Sequence, residues 1–348
     1  MLDKVLLFPY WLALKIRDSR YRSGRKESVS AGVPTICVGN ITAGGTGKTP
    51  HTEMILRTLL ASGKWAPADL AVLSRGYRRK SKGFRYVEAD GSAAFYGDEP
   101  LQMKRKFPEV TVAVDKDRVG GCRQLCHPEE GAPAARLVVL DDAFQYRRLK
   151  ASLNIVLVDY NRPVFKDMLL PLGRLRDLPE RITDADVVIV TKCPYELEDE
   201  ERAAFTAALG TRPEQTVLFS RIRYCGFEPV FSCSDTRYVY SKELILFSGI
   251  ARNTPLLDYL SDTYKVVDTF DFPDHHKFSK SDFRALGRAV KKHPFAMLAT
   301  TEKDKQRVLD SGDVQHTLME RMFHIPIEAE FLSEAEKEQF EAVLARLS

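Results

Sequence analysis

Residues Thr35 to Pro50 read TICVGNITAGGTGKTP. A β-branched apolar run, Thr35–Gly39, enters a glycine-rich loop, and Lys48-Thr49 opens a helix predicted over Lys48–Leu60. Strand, loop, Lys-Thr and helix in this order describe a phosphate-binding loop. Gly44, Gly45 and Gly47, with Thr46 between them, let backbone N–H groups close around phosphate oxygens where a Cβ would intrude. The helix start adds its partial positive charge. Lys48 would reach the β- and γ-phosphates of a nucleoside triphosphate, and the Thr49 hydroxyl would ligate Mg²⁺. Thr42 stands where the first glycine of GxxxxGK[ST] is usual.

A loop of this kind needs an acidic metal partner at the end of a neighbouring strand. Leu137–Leu140 is an apolar run ending in Asp141-Asp142. One carboxylate would hold Mg²⁺ and the other position it; the sequence does not rank them. Further runs at Leu70–Ser74, Val110–Val114, Asn154–Val158 and Val187–Val190 are continuous apolar stretches, as parallel strands buried on both faces are. Helices follow at Glu99–Lys106 and Arg118–Leu125. The pattern predicts an α/β fold with a P-loop NTPase-like parallel sheet over residues 31–215.

After about Gln215 the rhythm changes. Thr216–Tyr224 and Val230–Tyr240 read as two extended segments, a β-ribbon linker over 216–240. A smaller second α/β lobe, 241–348, follows: strands at Leu244–Ser248, Lys265–Phe270, Phe295–Ala299 and His324–Ala329, and helices at Thr254–Leu260, Ser279–Lys292 and Ser333–Leu347. The 348 residues suit about two domains of roughly 150 each. With 44% hydrophobic and 29% charged residues the chain can bury a core and stay in solution. Six cysteines without a CxxC pair read as thiols in a reducing compartment.

Residues 1–30 hold seven basic and three acidic side chains, an excess equal to the formal +4 of the whole chain. The other residues sum to zero, which argues against a nucleic-acid surface. Val5 to Leu14 reads VLLFPYWLAL. That is shorter than the roughly 20 residues a membrane span needs, and cations after the apolar run make a poor signal peptide. Two readings stand: a helix lying in a membrane interface, or one packed on the body of the protein.

GDEP (Gly97 to Pro100) places Asp98 at a predicted helix start, where N-capping is the ordinary role. FPDHHKF (Phe272 to Phe278) ends a second-lobe strand, and its adjacent His275 and His276 lack the spacing of a zinc site. A histidine offered across a cleft to a carboxylate could accept a sugar hydroxyl proton as the oxygen attacks a γ-phosphate. SRGYRRK (Ser74 to Lys80) and GRLRD (Gly173 to Asp177) supply arginines suited to phosphate recognition.

Taken together, VGNITAGGTGKTP, SRGYRRK, GDEP, LDDAFQ, LLPLGRLRD, SGIARNTP, FPDHHKF and TTEKD resemble, in order, the tetraacyldisaccharide 4′-kinase family of lipid A biosynthesis. The resemblance implies ATP- and Mg²⁺-dependent phosphorylation of the 4′-hydroxyl of a tetraacyl-disaccharide 1-phosphate. It implies a monotopic or peripheral enzyme on the cytoplasmic face of the bacterial inner membrane, its N-terminal helix (1–30) on lipid. A glycolipid substrate is implied, with no nucleic acid and no obligatory protein partner.

By motif position, Asp98 and His275 would be the catalytic pair, with Lys48 and Thr49 on phosphate and Mg²⁺. Asp141, Asp142 and Gln145 fall on the family's acidic-and-glutamine motif. Arg176 falls on its substrate or phosphate arginine, and Arg75 and Tyr77 lie in its RGY segment. Ala143 and Tyr146 stand where the family commonly has Gly and His, and Arg78 where Gly is usual. The alternative is a membrane-associated switch ATPase of MinD-like type, but Ala43 stands where its signature lysine would be. A GTPase-like module lacks its Asn-Lys-x-Asp motif at both Thr191–Pro194 and Glu302–Asp304.

Overall fold

The computed structural model describes residues 2–129, 132–250 and 253–347. Ala251 and Arg252 of the SGIARNTP motif lie outside them. The strands are β1 (Thr35–Gly39), β2 (Leu70–Ser74), β3 (Arg85–Tyr86), β4 (Thr111–Val114), β5 (Leu137–Asp141), β6 (Leu153–Asp159), β7 (Val187–Thr191) and β8 (Thr216–Tyr224), then β9 (Glu228–Pro229), β10 (Glu243–Ser248), β11 (Lys265–Asp271), β12 (Met297–Thr301), β13 (Met322–Ile325) and β14 (Ile327–Phe331). The helices are α1 (Leu2–Arg22), α2 (Lys48–Ala61), α3 (Ala93–Tyr96), α4 (Asp98–Lys106), α5 (Arg118–Cys126) and α6 (Asp199–Leu209), then α7 (Thr254–Ser261), α8 (Lys280–Lys292), α9 (Glu302–Leu309), α10 (His316–Met319) and α11 (Glu334–Ala345).

Nine strands form one sheet in the order β14-β8-β7-β6-β1-β5-β2-β4-β3, antiparallel only at its two edges. β1, β2, β5 and β7 are buried along their whole length. Helices α2, α4 and α11 cover one face with Ile55, Leu56, Leu101 and Phe340. Helices α1, α5 and α6 cover the other with Leu14, Leu125 and Leu209. β1 sits between β5 and β6, so the loop after β1 and the acidic end of β5 open at one carboxyl edge, the usual ligand crevice of such sheets.

The second sheet has the order β11-β10-β12-β13-β9, with α8 on one face and α7 on the other. Two sequence expectations change here. Val230–Tyr240 is not a strand: it is a turn followed by a 3₁₀ helix over Thr236–Tyr240, so residues 216–240 do not form a ribbon by themselves. His324–Ala329 is not one strand either. Pro326 divides it, β13 staying in the second sheet and β14 joining the first antiparallel to β8. A proline lacks the N–H a continuous ladder needs, and the chain changes sheets there. The lobes are therefore joined twice, at Cys225–Phe227 and at Pro326, where the Cys225 N–H donates to the Pro326 carbonyl at 2.9 Å.

The C-terminal residues thus belong to the first core. Phe340 on α11 is fully buried against it. Replacing Phe340 with Ala should lower stability by about 3–5 kcal/mol, read as a lower urea midpoint of the transition that exposes the nine-stranded sheet.

Candidate active site

The loop after β1 is pinned from several sides. Asn40 Nδ2 donates to Thr46 Oγ1 at 2.7 Å, Ala43 N–H donates to the Arg174 carbonyl at 2.6 Å, and Thr191 Oγ1 donates to the Thr46 carbonyl at 3.0 Å. Gly47 has φ +86°, a left-handed position that lets the loop turn into α2. Its carbonyl accepts from His51 Nδ1 at 2.7 Å, while His51 Nε2 accepts from Ser220 Oγ at 2.8 Å. Burial lowers the His51 pKa to about 4, so the ring is neutral and can serve both partners.

Lys48 Nζ lies 3.8 Å from Asp142 Oδ1, and Thr49 is buried at the start of α2. Asp142 is also gripped by Arg176, whose Nη1 donates to Oδ2 at 3.2 Å and whose Nη2 bonds Oδ1. Burial pushes the Asp142 carboxyl up, but Lys48 and Arg176 outweigh it and hold it below the usual carboxylate range. Gln145 Nε2 donates to the Asn40 carbonyl, tying the acidic motif to the loop. Asp141 differs: Oδ2 accepts from Ser74 Oγ at 2.9 Å, while Oδ1 is buried without a hydrogen-bond partner. Burial first, then the negative Glu99 and Asp142, raises its pKa to about 6.

That unpartnered oxygen fits a cation. Among the described residues no three His, Cys, Asp or Glu side chains converge on one point. A bound Mg²⁺ would draw its other ligands from Thr49, water and phosphate oxygens, which is its habit.

The second lobe closes the site. Asp98 does not cap α4; Gly97 occupies the cap and offers no side chain. The Asp98 carboxylate instead crosses to the second lobe, with Oδ2 3.2 Å from His275 Nδ1 and accepting from Arg307 Nε and Nη2 at 2.9 and 2.7 Å. Burial acts to raise the Asp98 pKa, but His275 and Arg307 hold it below its usual value. His276 turns away, with Nε2 2.9 Å from Asp282 Oδ2 and its ring stacked on Phe272. Neighbouring Glu99 pairs with Lys303 at 2.5 Å, which holds its pKa down against the effect of burial.

Tyr77 is exposed and lies 5.7 Å from the His275 ring, centroid to centroid. Arg75 is exposed and has no hydrogen bond or ion pair among the described residues. The loop carrying both meets Gly97 closely: a Cβ on Gly76, at φ +64°, would lie 2.8 Å from the Tyr96 carbonyl oxygen. Arg78 has φ +58°, which accounts for the glycine usual there. Lys303, Arg307, Asn40 and His51 carry contacts that no motif reading assigned. The signal for the first two was a pair of cations four residues apart on α9, one face of one helix.

A loop so built suits a polyphosphate, and a carboxylate–histidine contact between the lobes is a pairing suited to proton transfer. The class this defines is the P-loop phosphotransferase. Comparison with known proteins gives the particular kind. The tetraacyldisaccharide-1-P 4′-kinase family model matches residues 3–348, and the chain belongs to that family. It is 38% identical over 333 residues to the tetraacyldisaccharide 4′-kinase of Phocaeicola vulgatus, covering 94% of this chain and 88% of the relative. It is 39% identical over 341 residues to that of Porphyromonas gingivalis, covering 94% and 92%. The crystal structure of LpxK from Aquifex aeolicus in complex with ATP superposes with a TM-score of 0.75 at 26% identity, covering 100% of this chain and 99% of that one.

The Asp141 carboxyl makes a pH prediction. Its folded pKa is raised from 3.8 to about 6, so the folded state binds the proton more tightly than the unfolded chain. Stability is therefore lost as pH rises between those two values. In metal- and nucleotide-free protein, Asp141→Asn should be more stable than the parent by on the order of 2–3 kcal/mol at pH 8. The advantage should vanish near pH 4, as read from urea midpoints across pH.

Proposed function

We propose that this chain transfers the γ-phosphoryl group of ATP to the 4′-hydroxyl of a tetraacyl-disaccharide 1-phosphate held at a membrane surface. The observation that carries the chemistry is the 3.2 Å contact between Asp98 and His275, drawn from different lobes, with the neighbouring Glu99 close enough to feel the charges of Lys48 and Asp142.

In this reading the backbone amides of Gly44 to Gly47 and the Lys48 ammonium grip the β- and γ-phosphates. Thr49 and Asp141 are the residues suited to Mg²⁺, with Asp142 positioned by Arg176; the metal supplies charge neutralisation at the phosphates when bound. The Asp98–His275 pair takes the hydroxyl proton. The 4′-oxygen bonds to the γ-phosphorus as the bond to the β–γ bridging oxygen breaks, and ADP leaves with that electron pair. Gln145 and Arg176 position the loop and acidic motif, and exposed Arg75 and Tyr77 are free to meet the acceptor. A MinD-like switch has no use for a carboxylate–histidine pair brought in from a second lobe.

Helix α1 supports the membrane part of this reading. Leu14 is buried against the first lobe, Tyr10 OH donates to the Arg176 carbonyl at 3.0 Å, and Asp18 pairs with Arg147 at 2.6 Å. The opposite face leaves Phe8, Trp11, Leu12 and Ile16 exposed, a ridge at helical spacing beside the basic residues. In this proposal one face of α1 docks on the first lobe and the other meets lipid, on the cytoplasmic side of the inner membrane. Among the described residues no helix is long and apolar enough to cross a membrane.

The reading is tested by transfer of labelled γ-phosphate to a purified tetraacyl-disaccharide 1-phosphate, with the product position mapped. Lys48→Ala should reduce transfer by at least about 100-fold; near-parental turnover, or label at another position, refutes it. A Trp11→Glu, Leu12→Glu double variant should lose about tenfold or more in sedimentation with anionic vesicles. Unchanged sedimentation removes the lipid-facing role of α1.

A further inference from the structure

We infer that Arg307 is the positioning residue that fixes the Asp98 carboxylate and binds it to His275 as one unit. This rests on the proposed pairing of Asp98 with His275 and extends it to a third side chain. The Arg307 side chain is only 5% exposed. Its Nη1 donates to the Gly249 carbonyl at 2.9 Å and to Asp304 Oδ1 at 2.7 Å. Asp304 is itself locked, Oδ2 accepting from the Gly249 N–H at 2.9 Å and from Thr301 Oγ1 at 2.7 Å. The guanidinium plane is thereby set by the second lobe alone, before it meets the first. Its remaining edge, Nε and Nη2, points both donors at one oxygen, Asp98 Oδ2.

The same anchor holds the histidine. The Gly249 carbonyl that accepts from Arg307 also accepts the His275 backbone N–H at 3.1 Å, and His275 stands at φ +63° there. Arg307 Nη2 comes within 3.2 Å of His275 Nδ1. One carbonyl therefore spaces the arginine and the histidine, and one carboxylate oxygen receives both. With Oδ2 committed, Asp98 Oδ1 has no partner among the described residues and is the oxygen left to face an acceptor hydroxyl. A planar two-donor fork can impose that orientation, whereas a lysine ammonium cannot.

A weaker role is docking alone, since α9 and α4 are also joined by Lys106–Glu302 at 3.0 Å and Lys303–Glu99 at 2.5 Å. The experiment separates the two. Purified full-length Arg307→Met, Arg307→Lys, Glu302→Ala, His275→Ala and Arg307→Met/His275→Ala proteins are assayed for kcat, KM for ATP and thermal midpoint. Arg307→Met should lower kcat about 10- to 100-fold with KM for ATP changed less than about threefold. Arg307→Lys, which keeps the charge and a folded interface, should show a similar fall. Glu302→Ala should stay within about threefold in kcat, and the double variant should be barely slower than His275→Ala, the mark of residues acting as one unit. Equal kcat for Arg307→Lys and the parent, or losses that multiply in the double variant, overturns the role of Arg307. A parental rate for His275→Ala overturns the pairing itself and this inference with it.

Discussion

The whole cleft is organised around a surplus of buried negative charge. Asp98, Glu99, Asp141 and Asp142 come from the ends of α4 and β5, and burial, reinforced by the charges of Glu99 and Asp142, leaves Asp141 with a pKa of about 6. Three of the four are compensated by the protein: Asp142 by Lys48 and Arg176, Glu99 by Lys303, Asp98 by Arg307. Asp141 alone keeps a buried oxygen without a partner. An unsolvated, unpaired carboxylate is among the least favourable features a folded chain can carry. It persists because the nine-stranded sheet around it is rigid and because a divalent cation would turn the defect into a ligand.

The compensating cations come from two different places, and this shapes the molecule. Lys48 and Arg176 belong to the first lobe, while Lys303 and Arg307 come from α9 of the second. A further ion pair continues the chain of contacts: Glu53 on the phosphate-loop helix meets Lys106 at 2.6 Å, and Lys106 meets Glu302 at 3.0 Å. The lobes are thus held at the site by charge, and elsewhere by the two strand crossings at Cys225 and Pro326. The fully buried apolar residues divide between the two sheets, while Tyr224 of β8 crosses the boundary and stacks on Tyr259 of α7, ring centroids 4.6 Å apart.

Much of this was legible in the chain. The buried parallel strands announced themselves because both faces are covered, so Leu137–Leu140 or Val187–Val190 show unbroken apolar runs with little else to resemble. The phosphate loop was legible because its chemistry fixes glycine, lysine and threonine at set spacing. The failures have physical causes. His324–Ala329 keeps a strand-like composition straight through Pro326, since both halves are strands; only the sheet they join changes, and composition does not encode that. Val230–Tyr240 has aromatic and β-branched residues because Val230, Tyr238 and Val239 cover the second sheet, not because they extend it. Residue type alone left Asp98 open between a cap and a partner for His275, because capping and long-range pairing select the same residue at the same place, and only the motif resemblance favoured the pair. The cation pair on α9 was legible, but the partner of Arg307 was not, because it lies 209 residues away.

The division of the proposed catalytic pair between lobes has a consequence for specificity of outcome. A loop and lysine that bind ATP on one lobe alone would leave the γ-phosphate open to water. Here the proposed proton acceptor is assembled from α4 of one lobe and the loop after β11 of the other, so the pair depends on the register between them. Arg78 adds to this picture. It sits left-handed at φ +58° in the loop that packs on Gly97, with its guanidinium 5.4 Å from the Tyr77 ring. A non-glycine residue in that conformation carries strain, and the strain lies in the segment that borders Gly97 and His275. Four non-glycine positions among the described residues are left-handed: Arg78, Asp142 at φ +48° and His275 at φ +63° belong to the proposed site, and Lys192 at φ +59° bonds the Gly45 carbonyl of the phosphate loop. Strain gathered at these positions is what a site that must hold reacting groups in fixed positions requires.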